Sequence, residues 1–182
     1  LVNELTLLCH ELDVDVWEVI EAAASKPYGF QPFYPGPGLG GHCIPIDPFY
    51  LAWKARLHGL EPRFIDLAGQ INSTMPSYIV QRISDLLNDE SKPLKNSRVH
   101  IIGAAYKKDV ADTRESPAIT IMGLLEKKGC EVSFSDPYID VLELEDTSQI
   151  ESISIQDTPF ESMDCVVIVT DHSQFPWKTI AK

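Results

Sequence analysis

The sequence predicts an α/β protein in two parts, a helical first half followed by a Rossmann-like parallel sheet. Three observations carry this. Apolar residues recur at helical spacing from Leu1 to Leu87. A polar stretch, Asn88–Asn96, then interrupts the pattern. After it, short apolar runs alternate with a helical segment, the arrangement that builds parallel sheets. The division is placed between residues 1–92 and 93–182.

Each element has a local reason. Leu1, Leu5, Leu8 and Leu12 form one helical stripe, and Asp15 caps a second helix over 16–24 that stops near Lys26-Pro27. Residues 28–48 hold too much Gly, Pro and aromatic side chain for regular structure. Asp47-Pro48 reads as an N-cap followed by proline at the first helical position, opening a helix over 49–58 with Gly59 as its stop. Ile65, Ala68, Ile71, Met75, Ile79, Ile83 and Leu86 predict a longer helix over 64–87, kinked or split by Pro76. In the second half, residues 98–103 predict a buried strand ending in glycine. Ser116-Pro117 opens a helix to Lys128, and a second strand covers 131–135, ending at Asp136-Pro137. A weak strand is expected near 153–155, and residues 165–170 are the strongest strand signal. The acidic run 140–151 is expected to be a solvated face or loop.

Composition narrows the function. The 182 residues, 44% of them hydrophobic, suffice for one sizeable domain or two small ones. A net charge of −12 argues against nonspecific binding to nucleic acid or an anionic membrane, so an anionic ligand needs a local basic patch. Cys9, Cys43, Cys130 and Cys165 lie far apart without a CxxC pair, and neither a signal peptide nor an apolar run of transmembrane length is present. A reduced, cytoplasmic protein is expected. No metal site is expected either, because His42 and Cys43 are adjacent and no second ligand pair appears. Both ends look cut, since Leu1 begins inside a helical pattern and Lys182 follows a partial helix.

The most informative stretch is Gly36-Pro37-Gly38-Leu39-Gly40-Gly41-His42-Cys43-Ile44-Pro45-Ile46-Asp47-Pro48. Its glycines let the backbone close around a ligand, and it delivers a thiol with a carboxylate four residues on. A thiol so placed can attack a carbonyl carbon, and a carboxylate can orient water or move a proton. Cys43 and Asp47 are the candidate catalytic pair, although Asp47 also has the plain reading of a helix cap. His42 points away from its neighbour on an extended backbone and reads as loop structure or a substrate contact.

Gly36, Gly38 and Gly41 spell GxGxxG, but Phe33-Tyr34-Pro35 precedes them and Pro45 is expected to block a following helix, so the dinucleotide fingerprint is rejected. The true strand-to-turn junction, at Gly103-Ala104-Ala105-Tyr106, has only one glycine. Asp136 stands where a Rossmann enzyme grips ribose, and without the glycines it reads better as a turn residue. Lys107, Lys108 and Arg114 form the densest basic cluster after a strand's C-terminal end, where open α/β sheets bind ligands, and suit a diphosphate. Surface salt bridges to Asp109, Asp112 and Glu115 are the alternative. The other three cysteines read as small core residues.

Asn3-Glu4, the run from Phe33 to Pro48, Tyr106-Lys107-Lys108-Asp109 and Asp112-Thr113-Arg114-Glu115-Ser116-Pro117 together resemble the UDP-glucose/GDP-mannose dehydrogenase family, nearest its UDP-N-acetylhexosamine 6-dehydrogenase branch. The resemblance spans essentially the whole chain. It implies a helical central domain that builds a homodimer, then a Rossmann-like UDP-binding domain, and oxidation of a sugar C6 alcohol to the uronate with NAD through a cysteine thioester. Cys43 would attack the C6 aldehyde, and Asp47 would position or activate the hydrolytic water. The loop carrying Phe33, Tyr34, Gly36, Gly38, Gly40 and Gly41 would close over the UDP-sugar with backbone amides as donors. Tyr106 and Lys107 would contact UDP. Arg114 would reach NAD, within the subunit or across its boundary.

The family's N-terminal NAD-binding domain is not in this chain, nor are an oxyanion-stabilising lysine expected upstream of Leu1 and a substrate-contacting arginine expected beyond Lys182. The chain is therefore expected to be inactive alone. UDP-glucose is the alternative substrate within the family, and a non-catalytic nucleotide-binding or dimerisation module is the alternative from another class. A cysteine hydrolase would need a histidine base, for which His10, His58, His100 and His172 carry no local signature.

Overall fold

In the computed structural model, residues 1–144 and 148–180 are described. The chain opens with α1 (Val2–Glu11) and α2 (Val16–Ala24), and the Asp15 side chain caps α2 by accepting the Trp17 N–H at 2.8 Å. The two helices share a small core of Cys9, Val16 and Ile20. An irregular segment then leads into α3 (Cys43–Arg56).

The start of α3 corrects the expectation of a helix opening at Asp47-Pro48. The helix begins at Cys43, with His42 in the N-cap position, and Asp47 lies inside it. Pro45 does not block it, because the N–H groups of the first turn have no partner within the helix and proline loses nothing there. Pro48 forfeits only one ladder bond, the one its nitrogen would have made to the Ile44 carbonyl.

The next helix, α4 (Arg63–Asp89), runs unbroken for 27 residues through Pro76, so of the kink or split expected there the split does not occur. Its first half packs on α1 and α3. The Phe49 ring of α3 lies so close to Gly69 that a Cβ there would come within 2.2 Å of it. Its second half contributes Val80, Ile83 and Leu87 to the core of the sheet.

The second half is the parallel α/β unit the sequence predicts. β1 (Arg98–Ile102), β2 (Glu131–Ser135) and β5 (Cys165–Ile168) form a sheet in the order β2-β1-β5, every pair parallel, with Ile101 opposite both Phe134 and Val167. Val99, Ile101 and Phe134 are fully buried in one core with α5 (Pro117–Lys127), and Ile102 is fully buried as well. Ser116 caps α5 by accepting the Ala118 N–H at 3.3 Å, with Pro117 just inside the helix.

Two expectations are corrected here. The weak third strand lies earlier than 153–155: β3 (Val141–Glu143) and β4 (Gln149–Glu151) make an antiparallel hairpin, joined to β2 by a parallel bridge between Phe134 and Ser152. The acidic run is therefore not simply a loop. Leu142 and Leu144 alternate with its acidic residues and turn inward to the core, a period-two pattern. Residues 145–147 of that run lie outside the described residues. A short α6 (Trp177–Ile180) ends the described chain, and no helix among the described residues is long and apolar enough to cross a membrane.

Burial divides the two halves. Among the exposed large hydrophobic side chains of the described residues, only Val141, Val166 and Ile168 follow Leu86. The α/β half has a closed core, whereas the helical half presents Tyr50, Leu51 and Trp53 of α3, Leu57 at its C-cap, and Phe64 and Leu67 of α4 to the outside.

Candidate functional site

The glycine-rich loop is held at both ends. At its start, the buried Asn3 of α1 accepts the Gly36 N–H at 3.0 Å on Oδ1 and donates from Nδ2 to Asn72 Oδ1 of α4 at 2.8 Å. At its end, Gly41 donates its N–H to the Arg114 carbonyl at 2.8 Å. Between them the loop presses against the α/β half. Gly38 takes φ +145° with Pro117 beside it, and a Cβ at Gly40 would sit 2.5 Å from Tyr106 Cβ and 2.9 Å from the Glu115 carbonyl oxygen. Gly41, at φ +87°, lies against the Tyr106 ring. These positions need glycine for close approach and for left-handed backbone. The Gly36 and Gly41 amides are engaged within the chain.

Cys43 emerges from this junction as the first residue of α3, and its side chain is exposed. That places the sulfur at the positive end of the helix dipole, where negative charge is stabilised. Asp47, also exposed, lies one turn further on the same helix face, four residues from Cys43.

Arg114 completes the neighbourhood. Asp112 grips it through a fork, with Nε donating to Oδ1 at 3.0 Å and Nη2 to Oδ2 at 2.6 Å. These hydrogen bonds hold the Asp112 carboxyl below the usual carboxylate range and push the Arg114 guanidinium above its ordinary value. Tyr106 and Cys43 both lie within electrostatic reach of that guanidinium. Tyr106 is half-buried, and its N–H donates to the Asp112 carbonyl at 2.9 Å. Lys107 is exposed, and Lys108 pairs with Asp171 at 3.1 Å.

The structure thus brings Gly40, Gly41, Cys43, Tyr106 and Arg114 together. Phe33 and Tyr34 are exposed, and Tyr34 stacks on Trp17 of α2 with ring centroids 5.7 Å apart. A cleft of about 620 Å³ runs beside the loop between Gly38, Ile44, Phe49, Phe64, Asn72 and Pro117, but neither Cys43 nor Asp47 lines it. It is an apolar gap between helices, and chemistry rather than volume marks the Cys43 junction as the candidate site.

The sheet offers no dinucleotide cradle. After β1 the turn is Gly103-Ala104-Ala105, and Asp136 is buried with Oδ2 accepting the N–H groups of both alanines at 2.7 and 2.9 Å. An acid engaged in this way does not reach a ribose, so the described residues do not fit a complete NAD site.

Sequence reasoning missed Asn3 and Asn72 as loop anchors, Trp17 as a stacking partner and the Asp136–His172 contact. Asn3 lies on the face of α1 opposite the Leu1, Leu5, Leu8 and Leu12 stripe, and its place in the Asn3-Glu4 motif was the one available signal.

Comparison with known proteins places this geometry. Residues 1–74 match the central domain of the UDP-glucose/GDP-mannose dehydrogenase family, and residues 100–182 match its UDP binding domain. The chain belongs to the UDP-glucose/GDP-mannose dehydrogenase family. It is 36% identical to a UDP-N-acetyl-D-mannosamine dehydrogenase of Methanococcus maripaludis over 96% of this chain and 38% of that protein. It is 31% identical to a UDP-N-acetyl-D-glucosamine 6-dehydrogenase of Salmonella typhi, covering 96% of this chain and 40% of the relative. In structure it is similar to the UDP-D-ManNAc dehydrogenase of Pyrococcus horikoshii, with a TM-score of 0.82 at 30% identity over 99% of this chain and 40% of that one. The chain therefore spans about two-fifths of the length of these dehydrogenase relatives.

Proposed function

We propose that this chain carries the reactive thiol and part of the nucleotide-sugar site of an NAD-dependent 6-dehydrogenase acting on a UDP-N-acetylhexosamine. The observation that carries the reading is the exposed Cys43 at the first turn of α3, set where Gly40 and Gly41 dock on Tyr106 and Arg114. The names of the relatives support the N-acetylhexosamine branch.

Cys43 adds to the C6 aldehyde carbon: the S–C bond forms, the carbonyl electron pair moves to oxygen, and that oxygen gains a proton to give a thiohemiacetal. At the other end of the sequence, water attacks the acyl carbon of the thioester, the C–S bond breaks, and Cys43 leaves as thiolate. Asp47, one helical turn away, orients that water and takes up its proton. Tyr106 and Lys107 contact the UDP moiety, and Phe33, Tyr34 and the glycines of the loop line the sugar-nucleotide side. Arg114 is the one residue assigned to NAD.

The exposed apolar faces of α3 and α4 support a homodimer through the helical half. Four free cysteines support a reducing, cytoplasmic setting.

Alkylation of the four cysteines, followed by peptide mass spectrometry, tests the site. Cys43 is expected to label fastest and to be protected by UDP-N-acetylglucosamine more than by UDP-glucose. Labelling of Cys43 at the rate of Cys9, Cys130 and Cys165, indifferent to both nucleotides, sinks the reading. In the full-length protein, Cys43→Ser with NAD reduction intact would remove the covalent mechanism.

A further inference from the structure

Tyr106 and Lys107 follow a dipeptide whose polar groups are all engaged by buried side chains. The N–H groups of Ala104 and Ala105 both donate to Asp136 Oδ2, at 2.7 and 2.9 Å. The Ala104 carbonyl accepts from Ser116 Oγ at 2.7 Å, and the Ala105 carbonyl accepts from Thr170 Oγ1 at 2.7 Å. Those partners come from the end of β2, the cap of α5 and the segment after β5, so three elements converge on two residues.

His172 extends the arrangement to the far side of the loop. Its ring is fully buried, and Nδ1 accepts the Asp109 N–H at 2.9 Å. That backbone donor sets the neutral tautomer, leaving the proton on Nε2, which donates to Asp136 Oδ2 at 3.0 Å. One imidazole thus connects both ends of the segment 104–109, through Asp136 on one side and directly at Asp109 on the other. Asp109 itself sits at φ +59°, a left-handed conformation, and its carboxylate accepts from the Ser173 N–H at 2.8 Å and the Ser173 hydroxyl at 2.7 Å. These bonds point at the backbone of a loop and not into the apolar core, which Val99, Ile101 and Phe134 fill without them.

We infer that Asp136 and His172 are positioning residues that preset Tyr106 and Lys107 for the nucleotide diphosphate; this rests on the reading that those two side chains contact UDP. A loop held in its bound shape loses less freedom on binding. Neither residue touches the ligand, and both act through the backbone.

The test uses the full-length protein, with UDP as the probe, and two variants that each keep half of the imidazole's work. His172→Asn retains an acceptor near Nδ1, and His172→Gln retains a donor near Nε2. Exchange of the Asp109 amide should accelerate in His172→Gln and stay near wild type in His172→Asn. UDP should bind about tenfold more weakly to both, the size expected for one lost hydrogen bond. Thr170→Val, which removes only the donor to Ala105, should weaken UDP in the same direction with the least damage to the fold. If wild type binds UDP and the variants melt earlier yet bind it equally well, the role is structural only and the inference fails. If wild type itself does not bind UDP, the substrate reading falls and this inference with it.

Discussion

Gly40 and Tyr106 meet across the two halves of the chain at a distance that leaves no room for a side chain on the glycine. A Cβ at position 40 would stand 2.5 Å from Tyr106 Cβ. Next to it, the Gly41 amide is bonded to the Arg114 carbonyl. The loop that delivers Cys43 and the loop that carries Tyr106, Lys107 and Arg114 are therefore a single packed unit. Thiol and basic cluster stay in register because glycine allows the backbones to touch.

Gly40→Ala should break that contact. The neighbours are a Cβ and a backbone carbonyl, neither of which can swing aside, so the loop itself must move. Overpacking of this kind costs about 1–3 kcal/mol. Thermal unfolding should show the loss, and protection of Cys43 by UDP-N-acetylglucosamine against alkylation should weaken. Unchanged protection would mean that the junction is not the ligand site.

The same junction shows what was legible in the sequence. Helix caps are local chemistry, so Asp15 and Ser116 announced α2 and α5 directly, and the apolar run at Cys165 announced β5. The start of α3 was hidden because Pro45 read as a breaker and Asp47-Pro48 as the cap and opening proline of a later helix, although a proline in a first turn, as Pro45 is, breaks nothing. The β3–β4 hairpin was hidden because Leu142 and Leu144 stand among acidic residues. At the site, Cys43, Asp47 and the glycines could be read from spacing alone. The anchors could not: Asn3 and Asn72 are 69 positions apart, and Asp136 and His172 are 36 apart. Only the fold brings such pairs together.

Asn3 is the next point to probe. It is buried at 6% exposure and links the start of the loop to α4 through Gly36 and Asn72. Asn3→Ala leaves the Gly36 N–H and the Asn72 amide short of a partner, at a cost of about 1–3 kcal/mol. Denaturant unfolding should record the loss with the slope unchanged. A stability equal to wild type would show that the Asn3 bonds are replaced by water at no cost.

The apolar faces of α3 and α4 predict self-association. Trp53 of α3 and Leu57, the C-cap residue four positions on, are both 59% exposed, and Phe64 is 89% exposed at the start of α4. Leu57→Glu should shift a dimer towards monomer in sedimentation velocity without lowering secondary structure. A monomeric wild type at micromolar concentration would remove the homodimer from the proposal.

Asp47 predicts a kinetic signature. If it activates water for thioester hydrolysis, Asp47→Asn in the full-length protein should slow turnover by about 10²–10⁴-fold, the usual worth of a general base. A covalent adduct on Cys43 should accumulate and be visible in the intact mass. Slow turnover with no adduct would move Asp47 to an earlier step.

Acid sensitivity should trace to His100. Its ring is fully buried on β1, with Nδ1 2.8 Å from Ser133 Oγ and Nε2 2.9 Å from Ser135 Oγ. Burial disfavours the cation and pulls its pKa down from 6.5 to about 4. The unfolded chain takes up this proton near pH 6.5, whereas the folded protein resists until about pH 4. Across that window the unfolded state binds more protons, so stability falls as pH falls and the loss levels off below the folded value. The difference is worth at most about 3 kcal/mol. Melting temperature followed from pH 8 to pH 4 should therefore decline most steeply below pH 6.5. In His100→Gln, which keeps an amide for the two serines and carries no titrating group, the decline should be shallower even though the variant starts from a lower stability. A decline of equal steepness in both proteins would assign the acid sensitivity to the carboxylates instead, chiefly Asp109, Asp112 and Asp164, which hydrogen bonds hold below their ordinary range.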